Sequence, residues 1–174
     1  MRSRLACCLA LALILLAVFA CAQQPTVTPV PPAPDALARQ LTAAGKFAEA
    51  LTAWGKLAAK APANVDYALG KAKCQYALAQ FDASLGSLLR VREQGNQRGD
   101  YFAWLGKLYL ATQKPESALA AVQKARALAP DNPEVALISA QVLRSTGNTA
   151  QAIAVLTKFL AAHPASANLN KELG

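Results

Sequence analysis

The chain has one histidine and one methionine, and aromatic residues make up only 6% of it. His163 stands just before Pro164, with no Cys, Asp or Glu at metal-ligand spacing around it. No Ser-His-Asp order, carboxylate pair or glycine-rich phosphate loop is present. Gly45-Lys46 lacks the preceding strand and the glycine spacing that such a loop needs. These absences predict no catalysis, no metal and no cofactor. Four cysteines do not make a disulfide framework, because Cys7, Cys8 and Cys21 all fall in the N-terminal segment. Cys74 is alone, at a helical position among small residues and without a His or Cys to activate it, so a buried structural thiol is expected.

What the chain does have is alanine and leucine. Apolar residues reach 54%, mostly Ala, while the β-branched and aromatic residues that strands favour are sparse. Close-packed helices are expected. The formal charge is +8, of which Arg2 and Arg4 supply two. Such a balance suits acidic partners or an anionic membrane surface. It is no nucleic-acid footprint, since the charges are spread out and aromatics do not alternate with them.

Arg2 and Arg4 precede an apolar run from Leu5 to Ala20, followed by Cys21-Ala22-Gln23-Gln24. A basic start, an apolar stretch and small residues at its end make a secretory signal peptide, expected over residues 1–20. The run is short for a membrane span, which needs about 20 residues. Two cuts fit. Val18-Phe19-Ala20-Cys21 resembles a bacterial lipobox, with Phe19 departing from the usual small residue, and implies lipid on Cys21. Ala20-Cys21-Ala22 instead allows a cut after Ala22 and a soluble periplasmic protein. Residues 21–34 carry Pro25, Pro29, Pro31, Pro32 and Pro34, a tether that at about 3.1 Å per residue holds a domain some 30 Å away. Ala22 resembles the residue that follows the acylated Cys in lipoproteins sent to the outer membrane.

After the tether the chain repeats. Pro130 and Pro164 are 34 residues apart, and Pro62 lies two periods before Pro130. This register gives four blocks without insertion, 31–64, 65–98, 99–132 and 133–166, with the array expected over 35–166. Position eight reads Ala38, Ala72, Gly106, Ala140, and position twenty reads Ala50, Ser84, Ala118, Ala152. Small residues there let two helices approach. Large ones, such as Leu37, Leu41, Trp54 and Leu57 in the first block, fill the space around them. Gly45 and Gly147 suit left-handed caps after first helices, while Pro130 and Pro164 block continuation of second helices. Asp100 and Asp131-Asn132 fall at helix starts, where capping is expected.

The third block, with Phe102, Leu105, Gly106, Tyr109, Ala118, Ala125 and Pro130, resembles a tetratricopeptide repeat. The first and fourth blocks match nearly as well. The second diverges, with Lys71 and Gln75 at apolar positions and Asn96 in place of Pro. The resemblance implies an all-α, right-handed α-solenoid of about four antiparallel hairpins. Residues 167–174, with Leu169 and Leu173 four apart, are expected to cap it as a short helix. A partly exposed end there leaves room for self-association into a homo-oligomer.

The resemblance also implies a groove lined by the first helix of each hairpin. Position nine reads Arg39, Lys73, Lys107, Gln141, and position twelve reads Thr42, Tyr76, Leu110, Arg144. The candidate groove is therefore Arg39, Lys73, Tyr76, Lys107, Leu110 and Arg144, with Leu69 and Leu137 as further apolar contacts. Three cations one repeat apart would overlap within a Debye length of about 8–10 Å, which suits a peptide with acidic groups and apolar anchors. The same Arg and Lys would equally serve to solvate a helix face. Asp66, Asp100 and Glu134, at position two, are expected to answer helix dipoles. The Asn positions of the family's carboxylate clamp read Lys73 and Tyr76, so that clamp is not reproduced.

The layout resembles small envelope lipoproteins that assist pilus, secretion or polymer-export assemblies. The expectation is an adaptor, not an enzyme, anchored by lipid on the periplasmic side of the outer membrane or else soluble in the periplasm. Its partner would be a protein or peptide. The alternatives are regulation of periplasmic cell-wall enzymes and a self-associating structural module.

Overall fold

The structure, a computed structural model, describes residues 33–164. The expected signal peptide, Cys21, most of the tether and the 167–174 cap lie outside the described residues. Those described form nine helices: α1 (Ala36–Ala43), α2 (Phe47–Lys60), α3 (Val65–Ala77), α4 (Phe81–Leu89), α5 (Arg92–Gly95), α6 (Gly99–Ala111), α7 (Pro115–Leu128), α8 (Pro133–Ser145) and α9 (Thr149–Ala162). Four hairpins, α1/α2, α3/α4, α6/α7 and α8/α9, stack in chain order. First helices also lie side by side, α1 on α3, α3 on α6 and α6 on α8, so they share one face.

The hairpin contact is where the small residues fall. Ala38, Ala72, Ala118 and Ala152 are buried, and a Cβ at Gly106 would meet Val122 Cγ1 at 2.6 Å and the Ala118 carbonyl oxygen at 3.2 Å. In the second hairpin Ser84 takes this place, its hydroxyl donating to the Ala72 carbonyl at 2.7 Å. The polar substitution at Gln75 is answered the same way. Gln75 is buried and accepts from the Ser87 hydroxyl at 2.8 Å.

The turn inside each hairpin has one geometry. Gly45 and Gly147 take positive φ, and so do Ala79 and Gln113 at the equivalent positions of the middle repeats. Each turn closes with an amide of the following residue reaching back to the helix, as Lys46 to Leu41 and Lys114 to Tyr109. The backbone shape thus persists where glycine does not, although a left-handed conformation costs an L-residue about 1–2 kcal/mol. The packing of two long helices outweighs that local preference.

Two expectations from the sequence need correction. Leu37 does not fill a core: it is 62% exposed, since no described helix precedes α1 to cover its outer side. The expected caps divide: Asn132 caps α8 as expected, Asp131 does not cap, and Asp100, the second residue of α6 and not its N-cap, accepts from the Tyr101 amide at 2.9 Å. The side-chain caps are Asn64 and Asn132, each accepting from two backbone amides at 2.9 and 3.2 Å. Cys74 is fully buried beside Thr42, and burial pushes its thiol pKa up, as suits an inert structural residue. Near it the Trp54 ring lies against Gly70, where a Cβ would overlap the indole, and Trp54 Nε1 donates to the Thr42 hydroxyl at 3.0 Å.

The second repeat departs most. Its second helix, α4, has 9 residues where α2, α7 and α9 each have 14, and the single turn α5 follows. Tyr101 of α6 fills the resulting joint. Its ring faces Gly95, and its hydroxyl donates to the Leu88 carbonyl at 3.2 Å. On the outer side the early stop of α4 leaves a hollow of about 520 Å³ lined by Leu89, Phe102, Leu105, Tyr109 and Lys124.

Candidate functional site

Lys73 and Tyr76 stand three apart on α3, and Trp104 and Lys107 three apart on α6, so each pair shares a helix face. Side-by-side packing of the two helices interleaves them. Tyr76 and Trp104 meet edge to face with centroids 5.8 Å apart. Lys107 Nζ lies 4.8 Å from the Tyr76 ring centroid and 5.0 Å from that of Trp104, and Lys73 Nζ lies 5.2 Å from the Trp104 centroid. Glu134, at the start of α8, closes the cluster. Its Oε1 accepts from Lys73 Nζ at 2.6 Å and from Trp104 Nε1 at 2.9 Å.

Of the six groove residues predicted from the sequence, the structure brings Lys73, Tyr76 and Lys107 together. Arg39 lies on the same face but is bonded to Asp35, its own neighbour one turn back, at 2.5 Å. Leu110 is half-buried against the main core, and Arg144 is exposed near the end of α8 with no ion pair among the described residues. Leu69, expected as an apolar contact, is almost wholly buried in the core.

The expected column of free positive charge is not what forms. Arg39 is neutralised by Asp35 and Lys73 by Glu134, and the other two acids of position two, Asp66 and Asp100, pair with Arg98. Arg98 donates to Asp66 at 2.7 Å and to Asp100 at 2.6 Å, tying the second repeat to the third. Burial works to raise the Asp100 pKa, but the Arg98 guanidinium outweighs it and holds the carboxyl below its usual range. A hollow of about 450 Å³ beside these groups is therefore lined by both signs, with Arg39 and Lys73 facing Asp66, Asp100 and Glu134.

Lys107 is the exception. It is half-buried and has no ion pair among the described residues. Burial lowers its pKa, Glu134 pulls it back up, and Lys73 lowers it again, with a net downward shift. The cluster thus holds two ammonium groups and one carboxylate, flanked by two aromatic rings.

Trp104 and Glu134 were not among the predicted groove residues. Comparing one repeat position at a time passes over them, because contacts between first helices step back about one turn per repeat. Lys73 is ninth in its block, Trp104 sixth in the next and Glu134 second in the one after. A signal was available in the i,i+3 spacing of Trp104 and Lys107, matching that of Lys73 and Tyr76.

A family model described as tetratricopeptide repeat matches residues 36–98 and 105–167. The chain belongs to the tetratricopeptide repeat family. A search of curated protein sequences gives no match. Among solved structures it is similar to a thermophilic TPR protein of Thermus thermophilus, with TM-score 0.74 and 22% identity over 82% of this chain and 80% of that one. It is also similar to MamA of Desulfovibrio magneticus, with TM-score 0.60 and 19% identity over 78% of each chain. The first TPR of Spaghetti, solved with a bound HSP90 peptide, has TM-score 0.58 and 18% identity over 66% of this chain and 90% of that one. At these identities the likeness is one of fold. The tetratricopeptide repeat fold is that of a protein–protein interaction module, and the Lys73–Tyr76–Trp104–Lys107–Glu134 cluster lies on the face of the array made by its first helices.

Proposed function

We propose that this tetratricopeptide repeat protein is an envelope-anchored adaptor whose groove holds a peptide or helix of a partner protein, without chemistry of its own. The observation that carries the groove reading is Lys107, an ammonium group between two aromatic rings with no ion pair among the described residues. A carboxylate of the partner at that point would gain a charge-assisted hydrogen bond, while Tyr76 and Leu110 offer apolar contact beside it. The HSP90 peptide held by the Spaghetti domain supports peptide binding as a use of this fold.

A cross-linked pull-down from envelope fractions tests it. Lys107→Glu is expected to reduce partner capture at least about tenfold, the worth of one such contact. Arg39→Glu is expected to change capture far less, because Arg39 is already bonded to Asp35. Circular dichroism should show both variants fully helical. Equal capture by wild type and Lys107→Glu would overturn the groove reading and direct attention to the outer hollow beside α4.

The anchoring rests on the sequence of residues 1–34: the basic start, the apolar run, Cys21 and the prolines. A pilus, secretion or polymer-export assembly is the setting that this layout resembles. Cells expressing the full chain should incorporate a palmitate analogue into it, and Cys21→Ala should abolish the label. Label persisting in that variant would exclude lipid on Cys21.

A further inference from the structure

We propose that Glu134 is a specificity determinant, an internal carboxylate that takes the place of a second acidic group and sets this part of the groove to accept a ligand with one. This role rests on the groove reading above. Lys73 and Lys107 both lie about 5 Å from the centre of the Trp104 ring, and the one carboxylate in the cluster, Glu134, pairs with Lys73 alone.

That carboxylate comes from far away in the chain. Glu134 is 61 residues from Lys73 and 30 from Trp104, yet one oxygen accepts from both at 2.6 and 2.9 Å. Helix-dipole compensation needs only a negative charge in the first turn of α8 and does not require this convergence. With Glu134 in place, Lys73 Nζ and the indole N–H are satisfied, and Lys107 is left to pair with a ligand. A second ligand carboxylate arriving beside the first would find Lys73 taken and Glu134 repelling it. Without Glu134's charge, Lys73 and Lys107 would form a two-cation site that rewards adjacent acids.

Glu134→Gln is the informative change, since its amide oxygen can still accept from Trp104 Nε1 while the charge is gone. The probes are two fluorescein-labelled octapeptides of the same apolar residues, one with a single glutamate and one with two adjacent glutamates, measured by anisotropy. Wild type is expected to bind the two within about twofold of each other, and Glu134→Gln to bind the two-glutamate peptide about tenfold more tightly than the single. Asp66→Asn gives the same change in net charge on the same face, and Arg98 keeps Asp100 as a partner. It should discriminate less than about threefold. Adding Lys73→Gln to Glu134→Gln should remove the gain. Thermal melts should show each variant folded.

If wild type gains as much from the second glutamate as Glu134→Gln does, or Asp66→Asn gains as much, the inference is overturned and the groove reading stands. If neither peptide binds any of the proteins, both are overturned.

Discussion

Replacing Tyr101 with alanine is expected to lower the stability of the array by about 3–5 kcal/mol, the range for removing a large buried aromatic. Tyr101 is fully buried and among the largest side chains in the core. It sits at the joint between the second and third repeats, where α4 stops early. Its ring packs on Gly95 of α5 and edge to face with Phe102 at 5.3 Å, and its hydroxyl bonds to Leu88 at the end of α4. In a repeat array stability is nearly a sum of units and nearest-neighbour interfaces, so damage at one joint uncouples the two sides. Urea unfolding followed by circular dichroism should resolve two transitions in Tyr101→Ala where wild type shows one. A single unshifted transition would mean that the joint contributes little.

The hydroxyl has a separate signature in pH. Burial pushes the Tyr101 phenol up to about 12 from its ordinary value of 10.0. Below pH 10 folded and unfolded chains both carry the neutral phenol. Between 10 and about 12 only the unfolded chain ionises, so the stabilisation is complete below that window and falls by about 1.4 kcal/mol per pH unit across it. Tyr101→Phe leaves the Leu88 carbonyl without this donor, at a cost of about 1 kcal/mol near neutral pH, but it should show a shallower loss above pH 10.

Gly99→Ala is expected to destabilise by about 2–3 kcal/mol through overpacking. Gly99 opens α6 against the end of α7. A Cβ there would overlap the Ala129 Cβ and lie 2.9 Å from the Ala125 carbonyl oxygen and 3.1 Å from the Ala129 amide nitrogen. Backbone atoms inside a packed hairpin cannot swing aside as a flexible side chain could. Gly55 and Gly86, also helical, have nothing within 4 Å of the place an added methyl group would take. Alanine at either should raise stability by about 0.5–1 kcal/mol, because only helix propensity changes. Thermal melts of the three variants should therefore shift in opposite directions. A Gly99→Ala melt that rises with the other two would refute the close approach of α6 and α7.

The hairpins were legible because their physics is local and repeats. Each pair of helices needs a small residue at two points, and Gly106 against Ala118 or Ala72 against Ser84 can be found by counting. The turns were half legible. Gly45 and Gly147 announced a left-handed residue, whereas Ala79 and Gln113 occupy the same conformation with no such signal, held there by the helices on either side. The early end of α4 was not legible. Asn96 in place of proline marked the repeat as divergent without saying where its helix would stop.

For the groove, the sequence supplied Lys73, Tyr76 and Lys107 but not their charge state. Whether a lysine on a helix face is free or paired depends on acids contributed by other helices, and Glu134 lies 61 residues from Lys73. The sequence by itself determined the period and the hairpins, since these follow from residue size and helical spacing, and its resemblance to tetratricopeptide repeats implied the face on which a partner would be sought. Only the tertiary structure decided which charges cancel. Helix stagger carries contacts diagonally across repeats, and electrostatic pairing falls off over a few ångströms that sequence distance does not measure.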